Sequence, residues 1–177
     1  MALNYLADQS GPRYRGLNLL GLATCIGSII FAVVYLQGEL GLDPCPLCMA
    51  SRLVIMAMAV VFLLAWVHNP RQLGQRVYAT FNFLLGIGGV LLSARHIWLQ
   101  SLPPSEVPEC GPGLEYLLQN FPLQDAFSII LNGSGECAEI QWSLLGLTIP
   151  QQTLLLFIAL MVLTVLQFRK KKRNYFA

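Results

Sequence analysis

Leu17-Asn18-Leu19-Leu20-Gly21-Leu22-Ala23-Thr24-Cys25-Ile26-Gly27-Ser28-Ile29-Ile30-Phe31-Ala32-Val33-Val34-Tyr35-Leu36 is a run of 20 residues without a charge. A helix over it, at 1.5 Å rise per residue, is about 30 Å long, the thickness of a bilayer's hydrocarbon core. The run is too long for the apolar part of a signal peptide. Gln37-Gly38-Glu39 behind it offers no small-residue cleavage site. It is therefore expected to be a membrane span. Three further apolar runs follow, at about 46–67, 77–99 and 150–168. Composition agrees with this. Of the 177 residues, 55% are hydrophobic and only 11% charged, with mean hydropathy +0.60. Soluble domains carry about 25% charged residues, so this chain cannot clothe a soluble core. The predicted fold is an all-α integral membrane protein, a four-transmembrane-helix bundle in a single membrane domain with a loop at about 100–149.

The net charge of +2 matters less than its placement. Nine of the eleven Lys and Arg lie before the first span, between the second and third, or in the tail Arg169-Lys170-Lys171-Lys172-Arg173. Eight of the nine acids lie in the two loops on the other side. The positive-inside rule then puts both termini in the cytoplasm. The tail reads as a topology signal touching anionic lipid, and no nucleic-acid partner is expected. Tyr35, Trp66, Tyr78 and Trp98 fall near span ends and are expected to anchor at the interface. Gly86, Gly88 and Gly89 are expected to let the third helix approach a neighbour closely.

The outer loops carry Cys45, Cys48, Cys110 and Cys137, while Cys25 sits mid-span. In Asp43-Pro44-Cys45-Pro46-Leu47-Cys48-Met49-Ala50-Ser51-Arg52, a Cys-x-x-Cys stands where a polar turn becomes an apolar run. Two thiols at this spacing can close a small disulfide, hold a metal or exchange redox equivalents. Cys48 falls near a helix N-terminus, where amide N–H groups favour the thiolate. Arg52 lies one turn on, on the same face. Zinc would need four ligands, with Cys110 and Cys137 completing the set; these are 27 apart with no second Cys-x-x-Cys, so no metal is expected. Cys110 and Cys137 bracket a loop that a disulfide would close, and two disulfide pairs within reach can exchange by thiolate attack. Arg95 and His96 lie near the outer end of the third helix, where an Arg can snorkel or serve a site. Pro103, Pro104 and Pro108 suggest an extended segment, and 114–131 an amphipathic piece on the membrane surface.

Four spans, the Cys-x-x-Cys opening the second of them, Arg52 four residues on and a cysteine pair in the second outer loop together resemble the DsbB family. Gly135-Glu136-Cys137-Ala138-Glu139-Ile140-Gln141-Trp142, Leu145-Gly146-Leu147, Pro150-Gln151 and His96-Ile97-Trp98-Leu99-Gln100 follow its pattern. Pro46-Leu47 inside the motif and Arg95 beside His96 depart from it. The resemblance implies a quinone-dependent protein dithiol oxidoreductase of the bacterial inner membrane, with its active cysteines on the periplasmic side. Its partner would be a DsbA-like periplasmic thiol oxidase and its cofactor ubiquinone or menaquinone. Cys110 would form the mixed disulfide with the partner, Cys137 would pass the bond to Cys45, and Cys48 would face the quinone with Arg52 beside it. His96 and Gln100 would lie near the quinone head group. The segment 104–109 would dock on the partner in extended form.

The residues alone also admit three other assignments. One is a membrane scaffold with two structural periplasmic disulfides. Another is a reductive relay, which would need a thiol path across the bilayer, where Cys25 stands alone. The third is a vitamin K epoxide reductase-like protein, whose Cys-x-x-Cys lies on a late helix.

Overall fold

The computed structural model describes residues 12–70, 72–103, 105–107 and 135–168. Four helices long and apolar enough to cross a membrane account for most of them. Helix α1 (Pro12–Ile30) continues as a π-helical segment (Phe31–Glu39); α2 is Pro46–His68, α3 Gln72–Gln100 and α4 Ile149–Phe168. Helix α1 packs on α2, α2 on α3, and α3 on α4. The core between them holds Cys25, Ile55, Met58, Phe62, Phe157 and Leu160. Leu53, Val67, Leu91 and Val162 on the same helices point outward and are exposed. A bundle that exposes large apolar side chains along its length while burying others is built for lipid, and the chain is a multi-pass membrane protein.

The helices start and stop for local reasons. Cys45 is the N-cap of α2, with φ −66° and ψ 163°, and Pro46 follows at the first helical position, where its missing N–H costs nothing. At the other end Asn69 takes φ 42° and its N–H bonds Ala65 O at 3.1 Å. A left-handed Asn followed by Pro70 is a strong helix stop. Helix α1 begins at Pro12 and its apolar body runs to Glu39, beyond the 17–36 of the charge-free run; α3 begins at Gln72 rather than 77. Gln72-Leu73-Gly74-Gln75-Arg76 is polar, so hydropathy excludes it from lipid although the backbone is already helical.

At Phe31–Glu39 the winding widens: Leu40 N–H reaches Tyr35 O, five residues back, at 3.1 Å. Gly41, at φ +63°, then turns the chain toward Cys45. Only Gly enters that backbone region without strain. Of the glycines of α3, Gly89 lies against Phe157: a Cβ there would fall 2.3 Å from the ring. Gly86 meets Met161 in the same way, so close approach of α3 to α4 depends on both. Gly88 faces open space and has no such role.

Before α4, β1 (Ser143–Leu144) pairs with β2 (Leu147–Thr148) in a two-residue hairpin, Ser143 opposite Thr148. Leu145 (φ 53°) and Gly146 (φ 79°) are both left-handed, as a tight hairpin of matching twist requires. At the end of α3, Ser101 N–H bonds Trp98 O at 3.0 Å and Glu106 N–H bonds Pro103 O at 2.9 Å. Residues 105 and 106 thus lie in a turn; Pro104 and Pro108, on which the expected extended run also rests, lie outside the described residues. Cys110, the expected amphipathic piece at 114–131 and the basic tail at 169–173 lie outside the described residues.

Candidate active site: a dithiol beside an apolar cavity

The α2 N-terminus, the end of α3 and the turn at Gly135–Cys137 converge on one spot. Cys45 and Cys48 are thiols in this structure. They stand one helical turn apart, at the N-cap and the third helical position, and the Cys45 thiol donates toward the Cys48 sulfur. His96, 51 residues away in sequence, brings Nε2 to 3.8 Å from Cys45 Sγ. Its ring is buried and is also engaged by the Cys137 backbone. Cys137 itself is fully buried and packs with Cys45, Leu47 and Leu99 in one cluster, against which Cys48 rests. Three of the four outer-loop cysteines, Cys45, Cys48 and Cys137, are thus gathered at one end of the bundle.

Beside the dithiol lies a cavity of about 240 Å³ between α1, α2, α3 and the start of α4. Cys48, Arg52 and His96 line it together with apolar walls from Ile29, Phe31, Leu36, Ile55 and Leu156. The Arg52 guanidinium spans the gap to the π-helical segment, donating to Gln37 Oε1 and, at 3.4 Å, to Ala32 O. It is therefore held in place by α1 while its charge borders the cavity. This favours a site residue over one that only snorkels to lipid. Arg95 differs: its guanidinium lies 4.3 Å from the centre of the Trp98 ring, away from the cavity lining. Gln100 stands at the C-terminal end of α3. It lines a small neighbouring hollow of about 20 Å³ with Cys45, Cys48 and His96, and is absent from the lining of the larger cavity. Helix α3 advances about 100° per residue, so Gln100, a full turn beyond His96, lies farther out, on the loop side of the dithiol.

Several residues of this site were not expected in it from the sequence. Trp142 lines the cavity and packs with Tyr35 (6.3 Å between ring centres) and Phe31 (6.2 Å), which stack on each other. Tyr35 is thus part of the cavity's aromatic edge as well as an interfacial residue. Ser93 is buried and lines the cavity, and its Oγ has no hydrogen-bond partner among the described residues. It precedes His96 by three residues, a same-face spacing that was the one available signal. Ser28 also lines the cavity, but its hydroxyl is satisfied by Cys25 O at 2.8 Å. Cys25 is buried in the central core, in contact with Ile55 and Phe62 rather than the dithiol.

Comparison with known proteins agrees with this arrangement. The family model for "Disulfide bond formation protein DsbB" matches residues 14–167. "Disulfide bond formation protein B" of Methylococcus capsulatus is 44% identical over 162 residues, covering 92% of this chain and 98% of that protein. The protein of the same name from Nitrosococcus oceani is 47% identical over 149 residues, covering 84% and 87%. That from Chromohalobacter salexigens is 49% identical over 146 residues, covering 82% and 84%. With the match running across all four spans and the dithiol end of the bundle, the chain belongs to the DsbB family.

Proposed function

We propose that this chain is a disulfide-forming oxidoreductase of the bacterial inner membrane, taking electrons from a periplasmic DsbA-like dithiol protein and passing them to membrane quinone. The observation that carries the proposal is one cavity lined by Cys48, Arg52, His96 and Ser93, whose hydroxyl has no partner among the described residues, together with apolar side chains from α1, α2 and α4. The charge distribution supports cytoplasmic termini and periplasmic cysteines.

The residues fit a quinone head group. Ligand pockets for whole drug-sized molecules are about 300–1,000 Å³. A cavity of about 240 Å³ suits one substituted ring, with an isoprenoid tail leaving toward lipid. Ubiquinone and menaquinone both meet that description. Ile29, Ile55 and Leu156 would pack its ring, and Ser93, His96 and Arg52 would offer hydrogen-bond donors to it. When bound, the quinone supplies the two-electron, two-proton acceptor that turns a dithiol into a disulfide.

The chain's own residues do the rest. A partner thiolate attacks the Cys110–Cys137 disulfide at Cys110, and Cys137 leaves as a thiolate. Cys137 attacks at Cys45, with which it already shares a buried cluster, and Cys48 leaves as a thiolate facing the cavity. Arg52 holds positive charge against that sulfur, and the amides at the α2 N-terminus add to it. The second partner thiolate attacks the partner–Cys110 bond, so the partner leaves oxidised and Cys110 leaves as a thiolate; Cys110 attacks Cys137, which re-forms Cys110–Cys137 and frees Cys45 as a thiolate. Cys45 and Cys48 are then both reduced, and their closure to a disulfide releases two electrons, for which quinone would be the acceptor. His96, within reach of Cys45 Sγ, holds a proton near the sulfur that changes partners.

Trapping tests the thiol half. Coexpressed with its partner, Cys137→Ser should accumulate a mixed disulfide that disappears when Cys110→Ser is added. A complex that persists without Cys110, or none at all, would sink this route.

A further inference from the structure

The small hollow on the loop side of the dithiol has a different chemistry. Cys45 Sγ, Cys48 Sγ and His96 Nε2 all lie within 4.8 Å of one another, and the Cys45–His96 separation is 3.8 Å. Tetrahedral zinc holds sulfur at about 2.3 Å and imidazole nitrogen at about 2.0–2.1 Å, so its S···N edge is roughly 3.5 Å and its S···S edge roughly 3.8 Å. The three donors are therefore within about 1 Å of a zinc-binding face. The hollow they line is about 20 Å³. That suffices for one small occupant, since a water needs roughly 10–15 Å³ measured this way. Glu136 and Glu139 stand on its edge. The Cys137 backbone engages the His96 ring, the usual device that orients a metal-binding histidine.

We propose that the reduced dithiol, with His96 Nε2, binds a thiophilic divalent cation of the zinc class. Cys45, Cys48 and His96 supply three ligands, and the fourth position is left to water or to a carboxylate of Glu136 or Glu139. The third ligand thus comes from α3, and neither Cys110 nor Cys137 is needed. Binding displaces the protons of both thiols and moves no electrons. A dication with two thiolates and a neutral imidazole has no net charge, so the complex avoids the cost of a lone ion at the bilayer edge. The site exists only in the reduced state, because a Cys45–Cys48 disulfide has no thiolate to give. A bound ion would occupy Cys48, which also borders the larger cavity, and would hold the protein reduced. Binding itself does not depend on the oxidase proposal; inhibition does.

The test uses the full chain in nanodiscs, reduced, freed of reductant and titrated with Cd²⁺ under anaerobic conditions. Expected are one thiolate-to-cadmium charge-transfer band saturating at one ion per chain, release of protons, and displacement by Zn²⁺. The band should vanish in oxidised protein and in Cys48→Ser. In His96→Ala, and in the bulkier His96→Phe should the first misfold, affinity should fall about tenfold or more. It should survive Cys25→Ser and the double variant Cys110→Ser/Cys137→Ser. No band in reduced wild type, an equal band in oxidised protein or in Cys48→Ser, or unchanged affinity in both His96 variants would each overturn the proposal.

Discussion

Replacing Ser93 by Ala should move stability and quinone affinity in opposite useful directions. The Ser93 hydroxyl is buried, has no partner among the described residues and borders the cavity. Leaving such a group unpaired costs about 1–3 kcal/mol. Ser93→Ala removes the cost, and for a chain of this size about 1 kcal/mol shifts Tm by roughly 2–4 °C. Quinone-free Ser93→Ala should therefore melt at least about 2 °C above wild type. With quinone bound, the same hydroxyl donates a hydrogen bond with a net value of about 0.5–1.5 kcal/mol. Losing it should raise the quinone KM about 2- to 12-fold. Ser28→Ala is the control, because that hydroxyl already donates to Cys25 O. It gains only helix propensity, loses a satisfied bond, and should show no comparable rise in Tm. The assays are thermal unfolding in nanodiscs without quinone and steady-state quinone reduction. A fall in Tm for Ser93→Ala would mean that the hydroxyl has a partner in the quinone-free protein. A rise in Tm with unchanged KM would remove Ser93 from the quinone site.

Arg52→Met should raise the quinone KM by about tenfold or more, since a hydrogen bond to a charged group is worth about 1.5–3 kcal/mol. Arg52→Lys should recover only part of it, because one ammonium cannot span Gln37 and Ala32 O as the fork does; full recovery in the same KM assay would contradict the geometry. Gly89→Ala should destabilise by about 1–3 kcal/mol through collision with Phe157, lowering Tm by several degrees, whereas Gly88→Ala should be neutral or stabilise by up to about 1 kcal/mol. Equal melting points for the two variants would contradict the packing of α3 on α4.

The four spans were legible because lipid demands long apolar runs and little else does. Their ends were not, because helical backbone continues past the lipid boundary: Gln72 to Arg76 is helical yet polar. The π-helical winding at Phe31–Glu39 leaves the apolar pattern unchanged, so no sequence signal marks it, although it faces Arg52 with Gln37 and Ala32 O. Cys45, Cys48 and Arg52 stood out through their spacing within one turn and a half of helix. His96 was legible as an ionisable residue in a span, but its contact with Cys45 bridges 51 positions and needs the fold. Ser93 carries no motif, and Trp142 was visible only as the end of the Gly135–Trp142 stretch; it takes the fold to bring both onto one cavity with Cys48, Arg52 and His96.

The most direct test of the central claim is quinone reduction by the purified protein with a reduced DsbA-like protein as donor, followed by quinone absorbance. Wild type should turn over with ubiquinone or menaquinone, and Cys48→Ser should be inactive. Turnover in Cys48→Ser, or an inert wild type with both quinones, would contradict electron transfer from Cys48 to a quinone in this cavity.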